Sequence, residues 1–174
     1  MKIYIDSNVF VSTICEDEGT HKDSKEFIDF VLANNFEKDT SFITSIFTEV
    51  EVASAVFRRT NNQEKAQATL YKIENPWKEK IALLPYDLEK KIKLSDLVIK
   101  LVETALRHGT TFGDTIHAND VESYDIDFLV TWNIKDFKKM QDKIKRLQVL
   151  TPLDMQEILK KQVLIKWKIK YKSQ

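Results

Sequence analysis

Short apolar runs that end at polar residues recur along the chain and predict buried strands. The first run, residues 3–5, is closed by Asp6. Runs of this length, bounded by turn-forming residues, are typical of strands covered on both faces of a parallel sheet. The same pattern predicts further strands at residues 41–44, 80–85, 128–131 and 148–150.

Between these runs, apolar residues follow the spacing of helices that bury one side. The longest such segment, residues 87–107, carries an apolar stripe along its whole length. Further helices are predicted at residues 23–34, around 50–59, at 63–73, at 114–121 and from Pro152 onward. Because helices separate the predicted strands, we expect βαβ units and one α/β domain with a parallel sheet.

Beyond residue 160, apolar residues alternate with lysine up to residue 172. We expect residues 1–160 to form the domain and residues 161–174 to form a basic C-terminal extension. Strict alternation fits an added strand, and repeated lysines fit a segment that binds RNA or a partner protein. Both interpretations stay open at this point.

Composition narrows the class of protein. The chain has 174 residues, 43% hydrophobic and 31% charged, as in soluble globular domains. Its 27 basic and 27 acidic side chains cancel, which argues against a protein that coats nucleic acid. The single Cys15 cannot form an internal disulfide, as expected in a reducing cytoplasm. No run approaches the roughly 20 apolar residues of a membrane span, so we expect a cytoplasmic protein without membrane contact.

Several acidic residues lie where the predicted strands end. Asp6 directly follows the first strand, and Asn133 and Asp136 follow the fourth. Glu51 lies early in the helix after the second strand, and Asp114 begins another helix. Ligands of open α/β sheets bind at the C-terminal ends of the strands. We therefore expect these carboxylates to meet at one edge of the sheet.

Taken singly, most of these residues have an ordinary structural explanation. Asp6 fits a turn residue, and Asp114 fits a helix cap. Glu51 is less ordinary because it interrupts an apolar helical run, where an unpaired carboxylate is costly. Together the residues favour a shared cation, since clustered carboxylates repel one another unless a metal ion or a proton neutralises them. Oxygen ligands suit Mg²⁺ or Mn²⁺, and the Cys/His spacing of a zinc site is missing from the sequence.

His117 follows Asp114 by three residues and is expected near the same edge of the sheet. We favour a buried or edge histidine whose hydrogen bonds are satisfied within the fold. The alternative is a histidine that donates a hydrogen bond to a metal ligand.

Four blocks of the sequence, in order, resemble those of the PIN-domain family. The first is Ile-Tyr-Ile-Asp-Ser-Asn-Val-Phe, which contains Asp6. The second joins Thr-Ser to a helix that starts Glu-Val-Ala-Ser-Ala-Val at Glu51. The third is Phe-Gly-Asp-Thr-Ile-His-Ala, with Asp114, and the fourth is Leu-Val-Thr-Trp-Asn-Ile-Lys-Asp-Phe. The resemblance covers residues 1 to about 160.

This resemblance implies a three-layer α/β/α fold with a central parallel sheet. It implies a VapC-like endoribonuclease that hydrolyses RNA with Mg²⁺ or Mn²⁺, often a toxin paired with an antitoxin protein and commonly a homodimer. On this basis the catalytic and metal-binding residues are Asp6, Glu51, Asp114 and Asp136. The residues expected to support them are Asn8, Thr131 and Asn133.

Two departures and two alternatives accompany the resemblance. Asn133 occupies a position that is acidic in many members, which leaves Asp136 as the nearest carboxylate. Glu49 lies close to Glu51, and the Ala/Ser/Ala run after Glu51 favours the latter. A catalytically degenerate PIN domain that binds RNA or protein is the alternative function. A haloacid-dehalogenase-like phosphatase is disfavoured because it needs a second aspartate where this chain has Asn8.

Overall fold

The computed structural model describes residues 1–73, 77, 79–84, 94–108 and 112–172. The described strands are β1 Lys2–Ile5, β2 Ser41–Ser45, β3 Ile81–Leu84, β4 Phe128–Val130 and β5 Gln148–Leu150. They form one five-stranded sheet in the order β3-β2-β1-β4-β5, and every neighbouring pair is parallel. Each strand lies where an apolar run predicts it, although Pro85 is outside the described residues.

The helices of the described chain connect these strands and cover the sheet. They are α1 Ser7–Ile14, α2 His21–Ala33, α3 Phe47–Thr60, α4 Gln63–Lys72, α5 Leu94–His108, α6 Phe112–Ser123, α7 Ile134–Gln141 and α8 Pro152–Lys172. Asn61 ends α3 in the left-handed conformation, at φ 46°, which asparagine tolerates better than most residues. The next residue, Asn62, caps α4 by accepting a hydrogen bond from the Lys65 backbone at 2.9 Å.

The central strand, β1, is buried on both faces. Ile3 and Ile5 pack against apolar residues of α1, α2, α3 and α8. Tyr4, between them, packs against residues of α6 and α7 on the opposite face. Successive strand residues point to opposite faces, so one short apolar strand supplies both cores. The expected three-layer α/β/α fold with a central parallel sheet is confirmed.

Some helix predictions are corrected by the structure. Helices α1 and α7, which have only eight residues each, are not among the predicted helices. Over so few residues, helical periodicity is hard to distinguish from a short apolar run. Helix α6 begins at Phe112, two residues before the predicted start at Asp114. The predicted start of the long helix, at residues 87–93, lies outside the described residues.

The C-terminal segment is helical, so the added strand considered for it is wrong. Thr151 and Asp154 cap the start of α8 reciprocally: the Asp154 N–H donates to Thr151 Oγ1 at 3.2 Å, and Thr151 Oγ1 donates to the carboxylate at 2.6 Å. The helix then continues unbroken to Lys172. The division into a domain and an extension stays a prediction. Among the described residues, no helix is long and apolar enough to cross a membrane.

Candidate active site

Asp6 lies between the central strand and the first helix, and its carboxylate is held from two sides. The residue is 3% exposed and occupies the N-cap position of α1 without a capping hydrogen bond from its side chain. Instead, Oδ2 accepts hydrogen bonds from Thr131 Oγ1 at 2.6 Å and from Asn8 Nδ2 at 2.7 Å. The carboxylate is therefore oriented by Thr131, which follows β4, and by Asn8 in the first turn of α1, rather than used as a helix cap.

Asn8 links the two strand ends. Its Nδ2 also donates to Thr131 Oγ1 at 2.9 Å, and its Oδ1 accepts from the Trp132 backbone at 3.1 Å. Thr131 Oγ1 accepts a further bond from the Asn133 backbone at 2.9 Å. Because both ends of the Asn8 amide are engaged, the amide has one orientation and presents its N–H group to Asp6.

His117 lies between two carboxylates and is 2% exposed. Its Nε2 is 2.8 Å from Glu51 Oε2 and 3.4 Å from Asp6 Oδ1. Its Nδ1 is 2.7 Å from the Tyr4 hydroxyl, which donates to Asp120 Oδ2 at 3.3 Å. With both ring nitrogens protonated, the imidazolium donates to Glu51 on one side and to Tyr4 on the other. This geometry fits both interpretations: the histidine is buried with satisfied hydrogen bonds, and it donates one of them to Glu51, a predicted metal ligand.

The charges of these groups are coupled. Burial acts to lower the pKa of His117, but the Asp6 and Glu51 carboxylates outweigh it and raise that pKa to about 9. Burial acts to raise the pKa of Glu51, but the hydrogen bond from His117 prevails and lowers it. For Asp6, burial prevails over His117 and Thr131 and raises the pKa, and the charges of Glu51 and Asp114 add to that effect. The site thus concentrates negative charge that one imidazolium offsets.

Asp114 lies near enough to Asp6 for its charge to add to the raised pKa of that carboxyl. It lies in the first turn of α6. The residue before it, Gly113, approaches α3 so closely that a Cβ atom there would be 3.2 Å from Glu51 Oε1. One oxygen of Glu51 therefore contacts His117, and the other faces the start of α6. We call Asp6, Glu51 and Asp114 the carboxylate site.

Three solved structures resemble the chain over most of its length. VapBC-1 from nontypeable Haemophilus influenzae has a TM-score of 0.55 at 16% identity, covering 87% of this chain and 98% of that one. FitAcB from Neisseria gonorrhoeae has a TM-score of 0.55 at 17% identity, covering 86% and 97%. The Mycobacterium tuberculosis toxin VapC20, described as cleaving the sarcin-ricin loop, has a TM-score of 0.54 at 14% identity, covering 78% and 93%. The chain has the VapC-type PIN-domain fold.

The likeness to PIN-domain toxins rests on three-dimensional structure. The sequence matches no protein-family model and no curated protein. At the identities found, the comparison establishes the fold, and the chemistry has to be argued from the residues of this chain.

The fourth block of the PIN-domain resemblance contributes less to the site than the first three. Asp136 lies in the first turn of α7 and is partly exposed. Within the described chain it forms no hydrogen bond or ion pair with the carboxylate site. Asn133 precedes α7, and its backbone rather than its side chain bonds Thr131. A metal-binding role for Asp136 or Asn133, and the choice of Glu51 over Glu49, stay predictions.

The donor atoms of the carboxylate site fit a hard cation such as Mg²⁺ or Mn²⁺, because all three residues offer carboxylate oxygens. The distances between these side chains fit a bound cation less well than their chemistry does. Among the described residues, no group of three or more His, Cys, Asp or Glu side chains is assembled closely enough to hold a metal ion. His117 lies between Asp6 and Glu51 instead and supplies positive charge there.

Sequence reasoning missed parts of this candidate site. Tyr4 and Asp120 complete the hydrogen bonds of His117, and both are buried. Asp120 lies six residues after Asp114 in a run that contains three of the site's polar side chains, which is a detectable signal. Tyr4 gives no such signal, because a tyrosine in an apolar strand is an ordinary core residue.

Proposed function

We propose that the chain is a Mg²⁺- or Mn²⁺-dependent endoribonuclease that hydrolyses RNA phosphodiester bonds. The observation that carries the proposal is the carboxylate site itself. Buried Asp6 lies at the C-terminal end of β1, with partly exposed Glu51 and Asp114 near it, at the edge where open α/β sheets bind ligands. Carboxylates that are buried close together destabilise a fold. A bound divalent cation is the simplest ligand that offsets this destabilisation.

In this proposal, Asp6, Glu51 and Asp114 hold the cation. The cation supplies Lewis-acid stabilisation of the scissile phosphate and lowers the pKa of an attacking water. Asn8 and Thr131 hold the Asp6 carboxylate at a fixed angle through their hydrogen bonds of 2.7 and 2.6 Å. His117 holds Glu51 Oε2, which leaves Oε1 directed toward the start of α6 beside Asp114.

We also propose the biological setting that the neighbours suggest, which is a cytoplasmic toxin with an antitoxin partner. VapBC-1 and FitAcB support the antitoxin partner. A homodimer is supported by α5, which exposes a stripe of large apolar side chains: Val98, Ile99, Val102 and Leu106. Light scattering from the purified chain tests the dimer.

A second candidate function is a degenerate PIN domain that binds RNA or protein without cleaving it. It is favoured by one observation, the His117 bridge between Asp6 and Glu51, which neutralises the carboxylates without a metal ion. The two candidates differ in metal affinity. A degenerate site binds Mn²⁺ no better than surface carboxylates do, whereas a nuclease site binds it specifically.

RNA cleavage tests the proposed function. The purified chain is expected to cleave single-stranded RNA with Mg²⁺ or Mn²⁺ and to stop when EDTA is added. Asp6→Asn is expected to lose at least about a hundredfold in rate, because it removes a metal ligand. Asp29→Asn is the matched control, since Asp29 is exposed on α2 and pairs with Lys25. Full cleavage by folded Asp6→Asn protein would contradict the assignment.

A further inference from the structure

A groove along α3 opens beside the carboxylate site and extends away from it. Its volume is about 500 Å³. One end is lined by Ser7, Asn8 and Glu51, and the other end by Arg58 and Arg59. The groove therefore connects Glu51 of the carboxylate site to two arginine residues that the proposed chemistry does not use.

The spacing of residues on α3 forms this groove. Glu51 and Arg58 are seven residues apart, so they lie on the same face of the helix, separated by roughly 10 Å along its axis. Ser54 and Ala55 lie between them on that face and also line the groove. Because these two side chains are small, they leave an open channel between the carboxylate and the guanidinium group.

The two arginines differ in what they contact. Arg59 forms ion pairs with Glu18 and, at 3.5 Å, with Asp17. Arg58 is exposed and forms no ion pair or hydrogen bond with any other residue in the described ranges. The acidic residues of the groove are also engaged, Glu18 by Arg59 and Glu51 by His117. The positive charge of Arg58 is thus the one in this groove that no described neighbour offsets.

We propose that the α3 groove holds the RNA strand next to the cleaved bond and that Arg58 binds a backbone phosphate of that strand. The separation of roughly 10 Å from Glu51 places this phosphate about one or two nucleotides from the scissile one. An arginine suits the task because its guanidinium group binds phosphate oxygens through two parallel hydrogen bonds. The inference rests on the proposed ribonuclease function and adds the path of its substrate.

A purely structural role for Arg58 makes a different prediction. Arg58 lies in the last turn of α3, where a positive charge interacts favourably with the helix dipole. If that were its only role, Arg58→Ala would lower stability slightly and leave RNA binding unchanged. Arg58→Lys keeps the charge and the dipole interaction but loses the paired hydrogen bonds, so it separates charge from geometry.

The binding experiment uses a fluorescein-labelled single-stranded RNA 12-mer of mixed sequence. Fluorescence anisotropy is measured in EDTA, where the proposed enzyme does not cleave, at several salt concentrations. Arg58→Ala is expected to raise Kd about fivefold or more and to reduce the slope of log K against log salt by about 0.7, the contribution of one phosphate contact. Arg58→Lys is expected to restore the slope but only part of the affinity. Arg146→Ala is the control, because Arg146 precedes β5 at the opposite edge of the sheet and pairs with Asp125.

A cleavage experiment with Mn²⁺ then locates the contact. Phosphates on either side of the cleaved bond are replaced one at a time by neutral methylphosphonates. One such replacement is expected to raise KM for the unmodified chain and for Arg146→Ala, but to have little further effect on Arg58→Ala.

The possible outcomes separate this inference from the proposed function. If the unmodified chain binds and cleaves RNA, and Arg58→Ala matches Arg146→Ala in affinity and salt slope, the role of Arg58 is refuted and the nuclease stands. If the unmodified chain neither binds nor cleaves RNA, the proposed function fails and the inference fails with it. If it binds RNA through Arg58 without cleaving, the contact between Arg58 and RNA is supported, whereas the nuclease assignment and the path beside a cleaved bond are refuted.

Discussion

The Thr131 hydroxyl shows how one side chain prepares the carboxylate site. It donates to Asp6 Oδ2 at 2.6 Å while accepting bonds from Asn8 and from the Asn133 backbone. This hydrogen bond lowers the pKa of Asp6, against the effect of burial. A group that sets both the angle and the charge of a ligand affects metal affinity without touching the metal.

Thr131→Val keeps the shape of the side chain and removes the hydroxyl. The Asp6 carboxylate then loses one of its two hydrogen bonds to Oδ2, so Mn²⁺ affinity is expected to fall by about tenfold or more. Calorimetric titration with Mn²⁺ measures the change. Thr69→Val is the control, since Thr69 is also buried but its hydroxyl bonds only the backbone of α4. Equal affinities in the two variants would show that the Thr131 hydroxyl plays no part in metal binding.

His117 gives the metal-free protein a characteristic pH dependence. Its folded-state pKa, about 9, lies above its ordinary value of 6.5. A raised pKa stabilises the fold fully below about 6.5, and that contribution is lost as pH rises through about 9. In EDTA, the urea midpoint of the unmodified chain is therefore expected to fall between pH 6.5 and 9, and that of His117→Gln to fall less. Parallel curves for the two proteins would mean that His117 is neutral throughout this range.

At the residue scale, the sequence identifies ligands better than it identifies their partners. Asp6 is recognisable because it directly follows the first predicted strand, and Thr131 because it ends the fourth. The bond between them depends on the parallel pairing of β1 with β4, which aligns residues about 125 positions apart. Local patterns carry no information about that alignment. For the same reason, the contact of His117 with Glu51 is visible only in the structure.

At the scale of elements, the strands are predictable and the approach of the helices is not. The apolar runs predict each strand because a strand buried on both faces needs consecutive apolar residues. The close approach of the start of α6 to the Glu51 side chain depends instead on the absence of a side chain at Gly113, where a Cβ would be 3.2 Å from Glu51 Oε1. The sequence shows that the third block contains a glycine, Gly113, but it does not show that this glycine lies against the Glu51 side chain.

Gly113→Ala tests this approach. The added methyl group meets a carboxylate oxygen more closely than most Cβ contacts allow, so Glu51 or the start of α6 must shift by a few tenths of an ångström. We expect the protein to fold and to lose several-fold in Mn²⁺-dependent RNA cleavage, because catalytic groups need accurate positions. Gly19→Ala is the matched control, as nothing lies within 4 Å of its Cβ position. If both variants cleave RNA at the same rate, the close approach has no functional consequence.

At the scale of the whole molecule, a net charge of zero conceals a separation of charge. Negative charge is concentrated in the carboxylate site, and the groove beside it ends at Arg58 and Arg59. The overall balance therefore argues only against coating nucleic acid, and it agrees with an enzyme that binds one strand at one place. The order of strands in the sheet brings the carboxylate site and the groove together, and it arises from parallel pairing of segments that are distant in sequence. The order of the blocks along the sequence suggests these pairings but does not specify them.

The central claim, that Asp6, Glu51 and Asp114 form one divalent-cation site, is tested most directly by the stabilisation that Mn²⁺ provides against thermal unfolding. At a free Mn²⁺ concentration about 100 times its Kd, the unmodified chain and the Asp29→Asn control are expected to gain about 2.7 kcal/mol. Asp6→Asn and Asp114→Asn are expected to gain much less, since each removes a ligand. Asp136→Asn is measured beside them, and a full gain would mean that Asp136 lies outside the site. An undiminished gain in Asp114→Asn, or no gain in the unmodified chain, would contradict the shared cation site.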